Sequence, residues 1–224
     1  MHRVVRLTRR SCLVLITSCW LLAGWVAPIY AAGPAVERIG PLAAASAPDD
    51  IKKAVEDKGY RVTLDDGWTA EFWFAHPLVT AHKDAPSALY PDLTNGEFVA
   101  AVNYPKGTSD YRGQTIPAGF YTLRYQYLPQ DANHMGVSPN PDFLLAIPIA
   151  ADANPGDNLA FRPLVKLSAK TTGTAHPAVI ALAPAGDPGA VAQSEGPTVF
   201  SVAVPAGGSS PEKIGIVVKG QATQ

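Results

Sequence analysis

The chain has 224 residues, and its 18 Lys and Arg nearly balance its 19 Asp and Glu, which gives a net charge of −1. Both cysteines, Cys12 and Cys19, lie near the amino terminus, so the rest of the chain offers no disulfide, cysteine nucleophile or cysteine metal ligand. The chain beyond its first 31 residues is mildly acidic and has no basic cluster, so it is not expected to bind nucleic acid. We also expect no cofactor.

Residues 1–31 have the layout of a secretory signal peptide. Its basic start is formed by four arginines, Arg3, Arg6, Arg9 and Arg10. An apolar run over residues 12–29 follows, and the small residues Ala31 and Ala32 then offer a cleavage site. Cleavage there leaves a mildly acidic protein that we expect in the periplasm or outside the cell.

Two alternatives to simple cleavage remain open. The apolar run is nearly long enough to span a bilayer, so it could persist as a membrane anchor. The residues Ile16-Thr17-Ser18-Cys19 resemble a bacterial lipobox, which would place a lipid on Cys19 and attach the protein to a membrane. Pro28 and the small residues after it favour cleavage, and the apolar residues that follow Cys19 argue against the lipid.

The chain beyond the export segment divides into a leader, one domain and a short tail. Residues 32–47 are rich in Ala, Pro and Gly, which predicts a flexible leader, and residues 221–224 are predicted to fray. Residues 48–220 have the size of a single all-β domain. This domain is predicted to begin with a short helix at Asp49, which Gly59 ends.

Apolar alternation and short apolar runs predict eight strands in this domain. They cover residues 60–64, 68–75, 98–104, 121–127, 143–147, 178–183, 198–204 and 214–218. A second helix is predicted between residues 157 and 173, with Pro163 at its first position and Gly173 at its end. Short strands, and prolines placed mainly in loops, predict an antiparallel β-sandwich, Ig-like or jelly-roll-like, with two short peripheral helices.

The strand at residues 121–127 is the clearest of the eight. The preceding residues 116–119, Ile-Pro-Ala-Gly, have the composition of a tight turn. One face of the strand carries Tyr121, Leu123, Tyr125 and Tyr127. The other face is polar and carries Thr122, Arg124 and Gln126. We expect the apolar face to lie in the core, with the tyrosine hydroxyls reaching partners at its rim.

Residues around this strand resemble those of a known family. The segments 111–124, 134–137, 142–145 and 173–177 look like those of an uncharacterised family of secreted bacterial proteins, and the similarity covers most of the chain from residue 68 onward. The element Ile-Pro-Ala-Gly-Phe-Tyr-Thr-Leu at residues 116–123 is also similar to a broader domain of unknown function in exported bacterial proteins. The resemblance implies a β-sandwich and export, and it implies no activity.

A polar loop after this strand holds the most suggestive pair of side chains. His134 and Met135 could offer an imidazole and a thioether to copper, which makes His134 the candidate metal ligand. We expect Asp110 or Asp142 to pair with one of the arginines that flank the turn, which would make the loop a rigid pocket wall. The predicted binding residues are His134, Met135, Asp110, Arg112 and Arg124. The predicted ligand is a small molecule, an envelope protein or a glycan.

Motifs for catalysis are scarce. The sequence has no Gly-x-Ser-x-Gly element, and its Ser-x-x-Lys match at residues 210–213 leads into a predicted strand rather than a helix. Glu71 and Glu97 are the glutamates of the strand-rich middle, and Glu71 is expected to face solvent. Trp73 is the best candidate for an exposed sugar-binding ring, and the alternative is that it packs beneath the first helix or the other sheet.

These observations predict a non-catalytic binding or structural module of the cell envelope. The alternative is a metal-dependent or carbohydrate-active extracytoplasmic enzyme that uses His134 with loop carboxylates. A metal site at His134 would have to be assembled by tertiary contacts, because the sequence contains no His-x-His or His-Glu-x-x-His spacing.

Overall fold

A computed structural model describes residues 33–81, 87–128, 138–193, 196–208 and 210–220. The predicted export segment with Cys19, the pair His134 and Met135, and the predicted tail lie outside these residues. Within the described residues, no helix has both the length and the apolar character needed to cross a bilayer.

The described chain is mainly antiparallel β-structure. Its strands are β1 (Ala35–Ile39), β2 (Gly59–Thr63), β3 (Thr69–Phe74), β4 (Phe98–Tyr104), β5 (Thr108–Ser109), β6 (Thr115–Ile116), β7 (Gly119–Tyr127), β8 (Asp142–Pro148), β9 (Ala178–Ala183), β10 (Ala190–Ala192), β11 (Thr198–Val204) and β12 (Glu212–Lys219). Two α-helices, α1 (Asp49–Ala54) and α2 (Phe161–Thr172), and a 3-10 turn at Ile149–Ala151 join them. The predicted all-β class is confirmed.

Ten of these strands form one sheet that is nearly closed. Its order is β1-β2-β3-β4-β7-β8-β9-β12-β11-β10, and β5 and β6 pair separately as a small ribbon. The edge strands β1 and β10 approach within 8 Å of each other at their Cα atoms. Across the interior, the rings of Phe72 and Phe74 in β3 lie 5.5 and 6.3 Å from that of Phe200 in β11. Strands that are not hydrogen-bonded neighbours therefore share one apolar core.

Most strand positions follow from the sequence pattern. The strands Phe98–Tyr104, Ala178–Ala183 and Thr198–Val204 coincide with their predicted ranges, and the other five predicted strands are found with shifts of one or two residues at their ends. The strand at Asp142–Pro148 is buried on both faces, as its continuous apolar run predicts.

The first strand contradicts the expectation of a flexible leader. β1 pairs with β2 in register, with Val36 opposite Val62, and its charged residues lie on a short outer strand where they remain hydrated. The residues after it pack inward, because Leu42, Ala44 and Ala47 are all buried. Through these three side chains the segment packs onto the core rather than forming a linker.

Each helix differs from its prediction at one end. The first helix stops at Ala54, because Val55 forms an isolated bridge with Ala75, and Gly59 already belongs to β2. The second helix begins two residues before Pro163, which is its third residue rather than its first. Gly173 ends it as predicted, in the left-handed conformation with φ of 66°.

The apolar face of β7 lies in the core as predicted, since Tyr121, Leu123 and Tyr125 are all buried. The polar face is buried as well, which the alternation did not predict. A second, smaller core explains this: on the outer side of the sheet, side chains of β8 and β9 pack against Leu164 of α2. The helix and the segment before it thus form a cover over the outer faces of β7, β8 and β9.

Candidate functional site

Arg124 lies on the outer face of β7 and is fully buried beneath the segment that precedes α2. Its Nε and Nη2 atoms each donate to one oxygen of Asp152 at 2.7 Å. The remaining N–H groups donate to the backbone carbonyls of Gly96, Asp157 and Asn154 at 2.6 to 2.7 Å. All five guanidinium donors are satisfied within the protein, so this predicted binding residue fixes loops and has no donor left for a ligand.

Asp110 also acts inside the protein. Its carboxylate accepts the backbone N–H groups of Arg112 at 3.0 Å, Gln114 at 2.7 Å and Val179 at 3.3 Å. Arg112 Nε lies 4.0 Å from Asp110 without a hydrogen bond between them, and its Nη2 donates to Pro177 O at 2.9 Å. These contacts shape the loop after β5 and hold it against β9.

A buried cluster links Asp142 to the tyrosines. Its carboxylate accepts the backbone N–H groups of Leu89 and Tyr90 at 2.9 Å and the hydroxyl of Tyr125 at 2.8 Å. Burial raises the pKa of Tyr90 to about 12, and burial followed by the hydrogen bond to Asp142 raises the pKa of Tyr125. Both phenols therefore stay protonated at neutral pH and act as structural donors.

The sheet opens where β12 leaves β9. The two strands pair at two positions, Gly215 with Ala183 and Ile216 with Leu182, whereas β9 continues to pair with β8 as far as Ala178. β12 remains paired with β11 from Glu212 to Lys219, except at Val218. A cleft of about 580 Å³ therefore opens between the diverging segments of β9 and β12.

Tyr90 and a bulge mark the two ends of this short paired segment. At the end away from the cleft, the hydroxyl of Tyr90 donates to Ala183 O at 2.5 Å and accepts from Gly215 N at 2.8 Å, so it bridges the two strands. At the end that faces the cleft, the register of β12 against β11 shifts by one residue, which leaves Val218 without a partner in β11. Such a bulge bends its strand and ends pairing.

The cleft combines apolar walls with a polar rim. Residues 179–181 and 217–218 form the walls, and the rings of Trp68 and Tyr111 also line it. The rim carries Asp66, Thr108 and Lys219. Lys219 donates to Asp66, and this hydrogen bond is the main cause that lowers the pKa of Asp66. The rim therefore carries a carboxylate that stays ionised at neutral pH, and this carboxylate is paired with the side chain of Lys219.

Of the predicted site residues that the structure describes, Asp110 and Arg112 lie together and Arg124 lies apart from them. The loop that Asp110 and Arg112 shape presents Tyr111, the residue between them, to the cleft, whereas Arg112 itself lines a separate apolar groove of about 150 Å³ beneath α2. Arg124 is buried elsewhere, on the outer face of β7. His134 and Met135 lie outside the described residues.

Two predictions about the strand-rich middle are wrong. Glu71 does not face solvent, because its carboxylate accepts from Arg61 at 2.8 Å and from Asn103 at 2.9 Å and its side chain is 15% exposed. Trp73 is not an exposed platform, because it is buried and its indole N–H donates to Gly40 O at 2.9 Å. The segment after β1 provides this cover.

Trp68 lines the cleft but is not among the residues that the sequence singles out for a site. It immediately follows the turn at residues 65–67 and precedes the first residue of β3, so it lies at the end of the sheet. An aromatic residue at a strand end is the signal that could have identified it, since a half-buried ring there reaches the rim of the core.

Among the described residues, no group of three or more His, Cys, Asp or Glu side chains is placed to hold a metal ion. Comparisons with protein-family models, with curated proteins and with solved structures each found no match.

Proposed function

We propose that this protein is an exported, non-catalytic binding module of the cell envelope and that its ligand occupies the cleft between β9 and β12. The observation that carries the proposal is the cleft itself. Its volume of about 580 Å³ lies in the range of roughly 300–1,000 Å³ that is usual for small-molecule sites, and it combines apolar walls with a few polar groups at the rim.

The chemistry of the cleft supports binding rather than catalysis. Asp66 is the one carboxylate among the described residues that line it, whereas glycoside hydrolysis ordinarily uses a pair of carboxylates. The buried carboxylates of Asp110, Asp142 and Asp152 accept hydrogen bonds from the protein and lie outside the lining. They stabilise the frame in which the cleft is held.

Export and the finer architecture belong to the same proposal. The basic start, apolar run and small residues of positions 1–32 support export by signal cleavage. The contacts of Phe72 and Phe74 with Phe200 support two facing layers, a β-sandwich, as the form in which the nearly closed sheet packs.

Fluorine NMR of protein labelled with 5-fluorotryptophan tests the proposal. The probes are chitotetraose, maltotetraose and the blocked peptide acetyl-Val-Thr-Val-Thr-Val-amide. We expect at least one probe to shift the Trp68 signal, identified by its loss in Trp68→Phe, in a saturable manner. The signal of Trp73, which is buried against Gly40, is the internal control and should stay in place. If no probe moves the Trp68 signal at millimolar concentration, the proposed site is wrong.

A further inference from the structure

The ring of Trp68 is held in a fixed orientation at the mouth of the cleft. Its indole N–H donates to Thr108 Oγ1 at 3.2 Å, and its backbone N–H donates to Asp66 Oδ1 at 3.0 Å. The ring of Tyr104 packs against it with centroids 6.2 Å apart. Because the ring remains partly exposed and lines the cleft, it offers a flat apolar surface that needs no rearrangement to receive a ligand.

Tyr111 supplies a second aromatic ring along the same cleft. Its backbone N–H donates to Val179 O at 3.0 Å, which anchors the loop to β9. The side chain is half-buried and lines the cleft together with Trp68. Two anchored rings in one open cleft favour a ligand with extended flat apolar faces.

The rim supplies the hydrogen bonds that such a ligand would also require. Asp66 is an acceptor and Lys219 is a donor, while the hydroxyl of Thr108 can act as either. A sugar ring matches this combination, because one face of the ring presents C–H groups and its edge carries hydroxyls that both donate and accept. All three rim residues are at least partly exposed, so an incoming hydroxyl exchanges with water.

An extended peptide fits the cleft less well. A peptide that added a strand to β9 would need the free edge of that strand. At Val179 this edge is already occupied, because its N–H donates to Asp110 Oδ2 at 3.3 Å and its carbonyl accepts from Tyr111 N. The loop after β5 therefore takes the place of the added strand.

We propose that the cleft binds an oligosaccharide, with one sugar ring stacked on Trp68 and its hydroxyls bonded to Asp66 and Lys219. This inference rests on the proposed function and specifies its ligand class. Linear glycan with N-acetylated sugars is a suitable probe, since its acetamido groups add both a donor and an acceptor for the rim.

Isothermal titration calorimetry with chitotetraose and maltotetraose tests the stacking contact. We expect saturable binding of at least one of the two by the purified protein and about tenfold weaker binding by Trp68→Leu, which keeps apolar bulk but loses the ring. Trp73→Phe is the matched control and should bind as the unaltered protein does. Glucitol, which has the hydroxyls without a ring face, should give no heat of binding.

A second variant keeps the test valid if Trp68→Leu fails to fold. Asp66→Asn alters an exposed side chain, and we expect it to weaken binding of the same sugar several-fold while leaving the circular dichroism spectrum unchanged. If both Trp68→Leu and Asp66→Asn bind with unaltered affinity, the proposed contact is wrong. Shifts of the Trp68 signal by the peptide probe alone would overturn the sugar assignment and leave the binding-module proposal standing. Absence of shifts with every probe would contradict both.

Discussion

Arg124 shows what a charge needs in order to be stable inside this protein. Desolvation of a guanidinium costs several kcal/mol, and this cost is offset only when the charge is paired and its remaining donors are bonded. Asp152 supplies the charge partner, and Thr122 donates a further hydrogen bond to the same carboxylate at 2.5 Å. The cluster ties β7 to the segment that follows β8.

We predict that Arg124→Met lowers the free energy of unfolding by about 3–5 kcal/mol, because it leaves the buried carboxylate of Asp152 without a counter-charge. Arg112→Met is the matched control. Its side chain is one quarter exposed, so the expected loss is about 1 kcal/mol. Urea denaturation measures both variants, and equal losses would show that the buried pair has no special role.

Because of Tyr90, we predict that the free energy of unfolding falls at high pH. The phenol ionises near pH 10 in the unfolded chain and at about 12 in the folded protein. Its contribution to stability is therefore complete below pH 10 and is lost as the pH rises toward 12, because the unfolded state loses its proton first. The expected loss is on the order of 2–3 kcal/mol.

Urea denaturation at a series of pH values on either side of pH 10 measures this loss. Tyr90→Phe should show a shallower decline than the unaltered protein. The part that remains is attributable to Tyr104, Tyr121 and Tyr125, whose pKa values burial also raises. An equally steep decline in Tyr90→Phe would exclude Tyr90 as the source.

Among the secondary-structure elements, the junction of β9 with β12 depends on a glycine. A Cβ atom at Gly215 would lie 2.5 Å from Ala183 O and 3.0 Å from Pro184 O, so the strands would have to move apart. We predict that Gly215→Ala destabilises the protein by about 1–3 kcal/mol. Gly208→Ala, where a Cβ meets nothing within 4 Å, is the control and should change stability little. Similar unfolding curves for the two variants would contradict the tight junction.

The strands were predictable because each has a local pattern. The apolar alternation of residues 121–127 and the continuous apolar run at Asp142–Pro148 determine which side chains are buried, whatever the rest of the chain does. β1 was missed because its burial depends on pairing with β2, and its own composition resembles a linker. The polar face of β7 was misjudged because its cover comes from residues about 30 positions further along the chain.

The candidate site was less predictable, for a physical reason. The cleft opens beside a bulge at Val218, where β12 no longer pairs with β9, and such a bulge leaves no pattern in the local sequence. Asp110 and Arg112 were predicted as binding residues. They do not line the cleft, but the loop they shape carries Tyr111, which does. Trp68 was not singled out, although its position just before β3 brings it to the cleft.

Viewed as a whole molecule, the described chain is a nearly closed sheet with a local opening between two of its neighbouring strands. The hydrogen-bonded clusters of Arg124, Asp142 and Asp110 fix the loops around the sheet, which keeps the opening in one shape. A preformed cleft of this kind loses little conformational entropy when a ligand binds. A small loss of conformational entropy on binding suits a binding module exported to the envelope, which is the role we propose.

Hydrogen–deuterium exchange of the purified protein, with and without each of chitotetraose and maltotetraose at tens of millimolar, shows whether a sugar occupies the cleft. We predict slower amide exchange in residues 66–68, 108–111 and 217–219 with at least one of the two sugars, and no change in α2, which lies outside the cleft. Unchanged exchange in all three cleft segments with both sugars, or protection confined to α2, would contradict the proposal that the cleft is the binding site.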